Sequence, residues 1–441
     1  MALCTDRRQL LGLAASAGVA ALTPSGVEAK GTGPYPPGFL WGAAVAGHQV
    51  EGGNVNSDMW LLEQIRPGPF AEPSGDACDE YHLYEQDIAL LKKLGFNAFR
   101  FSLEWSRIEP EKGQFSAAEL GHYVDVAKAC RRHGVTPVVT FNHFTVPRWF
   151  AAQGGWENPE SPELFERFCA YAARRMGPLI GVAGTFNEPN LGWLLRTMLP
   201  PEIIVGMGQA MKEAARRSGS DRFSTVQFVD PALITANMIG AHKKAYAVLK
   251  AGPGDYPVGA SVSMIDEQSA GPGSIEAALK DRLYGDWLRA LGETGDFVGV
   301  QTYSSRLVGP DGPLRPAPGV ELTQSGEAFT PEAIGGTIRY AHQVSKKPIY
   351  VTENGVATED DARRIVYIDR ALKSVESCIR DGIPVRSYIH WSLLDNFEWV
   401  MGYRPKLGLV AVDRATQIRT PKPSAYHLGA IAKRERARAK A

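Results

Sequence analysis

The chain has 441 residues, 48 Lys plus Arg against 48 Asp plus Glu, 44% hydrophobic and 22% charged residues. Zero net charge leaves no basic face for a phosphate backbone, which argues against nucleic acid as a partner, and the hydrophobic content excludes a disordered chain. The length suits two or three average domains or a single α/β barrel.

The amino terminus is read separately. Arg7-Arg8 precede an apolar run from Leu10 to Leu22, and Val27-Glu28-Ala29 forms a cleavage site with small flanking residues. This resembles a twin-arginine export signal. The run is shorter than the ~20 residues needed to cross a bilayer, so residues 1–29 are expected to be a cleaved leader and not a permanent membrane anchor. The mature chain, residues 30–441, is then exported to a periplasm or secreted. Cys4 leaves with the leader, while Cys78, Cys130, Cys169 and Cys378 each fall in a helical stretch without C-x-x-C spacing. They are expected to be buried thiols.

Short apolar runs then alternate with segments of helical period. The runs are Phe39 to Val45, Ala98 to Trp105, Thr136 to Asn142, Val182 to Glu188, Tyr256 to Met264, Asp296 to Ser304, Pro348 to Glu353 and Val385 to Ser392. Helices are predicted over 76–94, 116–133, 161–178, 230–250, 274–291, 330–346, 360–381 and 424–438. Ser161-Pro162, Asp230-Pro231 and Thr330-Pro331 each read as a capping side chain before a proline at the first helical position. Gly95, Gly134 and Gly382 read as helix ends. Eight strand–helix units predict an α/β fold, a single (β/α)8 barrel. The alternative is a doubly wound open sheet, but no G-x-G-x-x-G follows the first strand. Stretches 196–229 and 305–328 are poorly patterned, and both follow strands, which puts them at the rim where barrels bind substrates.

The fourth run closes Thr185-Phe186-Asn187-Glu188-Pro189 and the seventh Tyr350-Val351-Thr352-Glu353-Asn354-Gly355. A carboxylate ending an apolar strand is costly unless it is hydrogen-bonded or functional. Two such glutamates facing one mouth suit retaining glycoside cleavage, in which carboxyls ~5–5.5 Å apart act as nucleophile and as acid and base.

These two motifs resemble the acid/base and nucleophile motifs of glycoside hydrolase family 1, the retaining β-glucosidases and their relatives. The likeness extends through Phe39-Leu40-Trp41-Gly42 with Gln49-Val50-Glu51-Gly52, through Arg100-Phe101-Ser102 and Trp105-Ser106-Arg107-Ile108, and through Trp391 to Trp399. It implies that Glu353 is the nucleophile, its ionised form stabilised and its pKa lowered by Arg100 and Tyr303. Glu188 is the general acid and then base, and Asn187 binds the sugar 2-hydroxyl. Gln49, His143, Glu398 and Trp399 grip the remaining hydroxyls, with Trp391 as an apolar platform. The implied partner is a small-molecule or oligosaccharide β-glycoside, cleaved at its terminal non-reducing β-D-glucosyl or related residue.

Three departures stand out: Phe144 where the family usually has Trp, Gln301 where it has Asn, and an unlike segment from Leu191 to Met207. Glu398 argues for an unphosphorylated sugar, because a carboxylate repels phosphate. His48, His143 and His390 all lie near strand ends, but no H-x-H or helically spaced acidic ligand accompanies them, so neither a metal nor a cofactor is expected. The competing activities are transglycosylation through the same intermediate and non-catalytic glycan binding.

Overall fold

In the computed structural model, which describes residues 33–441, eight parallel strands close into a barrel. They are β1 (Leu40–Ala44), β2 (Ala98–Ser102), β3 (Thr136–Asn142), β4 (Val182–Asn187), β5 (Val258–Ser263), β6 (Phe297–Gln301), β7 (Ile349–Glu353) and β8 (Val385–Trp391). Each pairs with its neighbours in chain order, and β1 closes on β8 with Ala44 opposite Trp391. The proposed leader, residues 1–29, lies outside the described residues. Among the described residues no helix is long and apolar enough to cross a membrane.

Helices α1 (Glu80–Leu94), α2 (Ala117–Arg132), α3 (Ser161–Met176), α4 (Pro231–Ala251), α6 (Ala333–Ser345), α7 (Asp361–Arg380) and α8 (Pro423–Arg438) surround the barrel. The fifth helix, α5 (276–293), contains a π turn at Asp281–Gly285. Asp230 caps α4 as expected, accepting from the Ala232 N–H at 3.1 Å. The other two proposed caps differ. Ser161 is already inside α3, whose N-cap is Glu160, and α6 begins only at Ala333. The Thr330 hydroxyl instead accepts from the Ser305 N–H at 2.8 Å, tying the rim loop to the strand that follows β6. Cys78 also departs from its predicted helix and lies in a turn; it and the three helical cysteines are buried free thiols.

The stretch 196–229, unpatterned in sequence, holds much of two helices, Leu191–Met198 and Pro201–Arg217. Pro200-Pro201 looks like a breaker, yet Pro201 occupies the first helical position, where its missing N–H has no partner to lose. The second stretch, 305–328, forms the short strands Ser305–Gly309 and Gly312–Pro313 and a turn above the barrel mouth.

The core is in two parts. A large cluster lies between the strands and the helices, and a smaller one that includes Ala44, Ala98, Val138, Val182, Phe297 and Ile389 fills the barrel interior. Two strands change phase between these layers. In β4, Val182 belongs to the inner cluster, whereas Phe186, four residues on, packs outward on Phe165 with ring centroids 4.7 Å apart. In β7, Ile349 and Val351 face the outer layer, so strict alternation would send Glu353 outward too. Each strand carries a register shift before its end, between Gly184 and Asn187 in β4 and between Val351 and Glu353 in β7. These bulges bring Asn187 and Glu353 to the mouth.

The chain ends are held by a buried bidentate pair. Arg419 donates to both oxygens of Asp87 on α1, at 2.9 and 3.0 Å, and to the Cys78 carbonyl at 2.6 Å. This fastens the hairpin of Val410–Val412 and Arg419–Pro421 to the first helix, across the seam where β1 meets β8.

Candidate active site

Glu353 ends β7 with both carboxylate oxygens occupied: Arg100 Nη1 donates to Oε1 and the Tyr303 hydroxyl to Oε2, each at 2.5 Å. Arg100 is on β2 and is 1% exposed, so its charge acts with little water between it and the carboxylate. Its second nitrogen, Nη2, donates to Asn187 Oδ1 at 2.6 Å, and Gln301 Nε2 donates to the same oxygen at 2.8 Å. Arginine cannot accept, so the Asn187 oxygen must face Arg100 and its amide NH2 is turned the other way. Gln301, the longer residue where the resemblance expects Asn, uses its extra reach to complete this clamp.

Glu188 follows Asn187 with φ +45°, a left-handed conformation uncommon for a non-glycine residue and costing roughly 1–3 kcal/mol. Pro189 disfavours the right-handed helical alternative, and the Glu188 N–H donates to the Ser261 carbonyl at 2.9 Å. The Glu188 side chain therefore leaves the strand in a direction fixed by backbone. Gly355 has a comparable constraint: a Cβ there would lie 2.1 Å from the Trp391 carbonyl oxygen.

Glu188 and Glu353 line one cavity of about 180 Å³ together with Gln49, His143, Phe144, Asn187, Tyr303, Trp391, Glu398 and Trp399. Arg100 and Gln301 stand behind this lining and act on it through Glu353 and Asn187. All twelve residues singled out from sequence thus converge at one mouth. Gln49 Nε2 donates to the Phe397 carbonyl at 2.8 Å and to Asn396 Oδ1 at 3.2 Å, leaving a buried Oε1 without a partner. His143 stacks on Trp391 at 5.6 Å and has an unpartnered Nδ1. Trp391 Nε1 donates to Glu398 Oε1 at 3.2 Å, so this ring is a polar contact as well as an apolar face. Phe144 meets Trp399 edge-on at 5.4 Å, and Trp399 lies flat on the buried ring of His48 at 5.6 Å. Buried acceptors and donors without partners are costly, and here they converge where a hydroxyl-rich ring would satisfy them.

Of the rest of the lining, the sequence named Leu191 only as the start of the segment unlike the family and placed Thr323, Ser325 and Glu327 only within the rim stretch 305–328, while it gave no sign of Val356, Ala357 or Leu407.

Burial pushes the Glu188 carboxyl up to about 8, and the Glu353 charge adds to this. Burial also raises Glu353, while Arg100, Tyr303 and Gln301 pull it back down. The net direction is upward, so the sequence expectation of a lowered Glu353 fails because burial outweighs these three partners. The order within the pair still holds: the proton resides on Glu188, because the cation and the phenol are both at Glu353. Burial takes Glu398 up to about 8 and holds His143 well below its ordinary value, hence neutral.

The model of glycosyl hydrolase family 1 matches residues 31–219 and 235–437. The segment from Leu191 to Met207, expected to be unlike the family, lies inside that match, and the break falls at 220–234. β-Glucosidase A of Thermotoga maritima is 29% identical, over 90% of this chain and 98% of its own. A solved apo β-glucosidase, 1317, is 52% identical with a TM-score of 0.88, over 90% of this chain and 98% of its own. The Thermotoga maritima β-glucosidase in complex with glucoimidazole is 27% identical with a TM-score of 0.77, over 91% of this chain and 99% of its own.

Glu353→Gln keeps the shape of the side chain and removes its charge. The Glu188 carboxyl should then titrate roughly one unit or more lower than in the native chain, followed by its infrared carboxyl band between about pH 5 and pH 9. An unchanged titration would mean that the two groups do not share one field.

Proposed function

The chain belongs to glycosyl hydrolase family 1 and is a retaining β-glycosidase, and we propose that Glu353 is its nucleophile and Glu188 its acid and base, acting on terminal β-D-glucosyl residues. The observation that carries the assignment is the asymmetry of the pair: Arg100 and Tyr303 both donate to Glu353, while burial and the Glu353 charge push the Glu188 carboxyl up.

In the first step a Glu353 oxygen attacks the anomeric carbon as the glycosidic bond breaks, and Glu188 gives its proton to the departing oxygen. The product is an ester with Glu353, which carries no charge. The field that kept Glu188 protonated disappears at that moment, and Glu188, now ionised, takes a proton from the attacking water. The Asn187 NH2, turned from Arg100, is placed to donate to the 2-hydroxyl, a contact that strengthens as positive charge develops at the anomeric carbon. Gln49 Oε1 accepts from one of the remaining hydroxyls, with His143, Trp399 and Glu398 gripping the others. Glu398, held by Trp391, suits an uncharged sugar in place of a phosphorylated one. The β-glucosidase names of the relatives support glucose as the sugar.

Glu353→Ala should abolish turnover, and added azide should restore it with an α-glucosyl azide as product. In Glu188→Ala, azide should instead give the β-azide, because the ester still forms and is then attacked from the other face. Near-native turnover by Glu353→Ala would overturn the nucleophile assignment.

We also propose that the enzyme is exported and works outside the cytoplasm, on the strength of Arg7-Arg8, the apolar run after it and Val27-Glu28-Ala29. Amino-terminal sequencing of the protein from its native host should begin at Lys30, and a start at Met1 would contradict export by cleavage.

A further inference from the structure

A fourth carboxylate borders the cavity, beside Glu188, Glu353 and Glu398. Glu327 comes from the poorly patterned stretch that follows β6 and lines the cavity with Glu188 and Leu191. Its backbone is well anchored. Leu322 bridges Ala328, the Thr323 N–H donates to the Glu327 carbonyl at 2.8 Å, and Gly326 supplies the φ of +85° that this tight turn requires. The turn is tied to two other rim segments, by the Gln324 N–H to the Ala357 carbonyl at 3.0 Å and by the Lys406 N–H to Gln324 Oε1 at 2.9 Å.

The Glu327 carboxylate has no compensating cation among the described residues, and burial alone shifts its pKa, upward. Cations on the adjoining segments are engaged elsewhere: Arg363 with Glu321, and Lys406 Nζ with the Tyr403 carbonyl. The lining beyond the sugar-gripping set is otherwise largely apolar, with Leu191, Val356, Ala357 and Leu407. A half-buried carboxylate in such surroundings gains from any cation brought to it.

Its place relative to the reaction follows from its neighbour. Glu188 must reach the leaving oxygen, so groups beside Glu188 and away from Asn187, Gln49 and Glu398 face the leaving group. Burial and then the Glu353 charge raise the Glu188 carboxyl most, and Glu327 adds a smaller upward push that is not among the main influences on Glu353 or Glu398.

We propose that Glu327 is a specificity-determining residue on the leaving-group side, favouring β-glycosides whose aglycone carries a cationic group close to the glycosidic oxygen. The inference rests on the reading of Glu188 as the acid and deepens it by naming a substrate class.

Two glucosides of nearly the same shape test it: 2-(trimethylammonio)ethyl β-D-glucoside, which is cationic, and 3,3-dimethylbutyl β-D-glucoside, which is neutral. The ratio of their kcat/KM values should fall roughly tenfold from the native enzyme to Glu327→Gln, and further in Glu327→Lys. Intrinsic leaving-group differences cancel in that comparison, and turnover of the neutral glucoside reports folding in every variant. A ratio that stays within about twofold across the three proteins overturns the proposal. Native release of fluoride from β-D-glucosyl fluoride, whose leaving group is too small to reach Glu327, tests the catalytic reading separately. Failure there removes the catalytic premise and the proposal with it, whereas fluoride release with an unmoved ratio overturns the Glu327 assignment alone.

Discussion

Arg100 and Glu353 meet at 2.5 Å with both side chains almost wholly shielded from water, and Tyr303 completes the set on the other carboxylate oxygen. Two carboxyls buried in one cavity cannot both carry charge without a large cost, so one of them must hold a proton. Arg100 decides which. By fixing the charge on Glu353 it leaves the proton on Glu188, and in the proposed mechanism that asymmetry makes one side chain the nucleophile and the other the acid. The same guanidinium sets the Asn187 amide through its second nitrogen, so one residue fixes both the Glu353 carboxylate and the direction of the Asn187 NH2.

The barrel delivers these groups by breaking its own period. Regular alternation in β7 would put Glu353 among the helices, and Phe186 would face the interior if β4 kept its phase. A register shift near the end of each strand reverses this, and Glu188 then adopts a left-handed backbone that Pro189 favours over a helical one. The local strain concentrates where the reacting groups are, while the layers below stay regular and supply the rigidity that holds them.

Much of this was legible in sequence. Parallel strands covered on both faces are continuous apolar runs, so all eight were visible and Thr136 to Asn142 was bounded as found. The second run overshot because Trp105 is as apolar as the strand, although it opens a short helix, Trp105–Ile108. The bulges have no signature in composition, which is why the motifs pointed to Glu188 and Glu353 while alternation could not have placed Glu353. Thr330 read as a cap because its hydroxyl suits one, but a distant N–H at Ser305 claimed it. Glu327 was not singled out for a related reason: its turn has no period, and its position is set by contacts with residues about 30 and 80 places further along the chain.

If Glu353 is the nucleophile, a covalent ester forms on it, and trapping reveals that ester. A 2-deoxy-2-fluoro-β-D-glucoside with a good leaving group should form the ester faster than water can release it, because the fluorine removes the 2-hydroxyl contact and disfavours positive charge at the anomeric carbon. Peptide mass mapping should then show one fluorosugar on the peptide holding Tyr350-Val351-Thr352-Glu353-Asn354-Gly355. An enzyme that hydrolyses the glucoside but carries the sugar on another residue, or never carries it, would rule out Glu353 as the nucleophile.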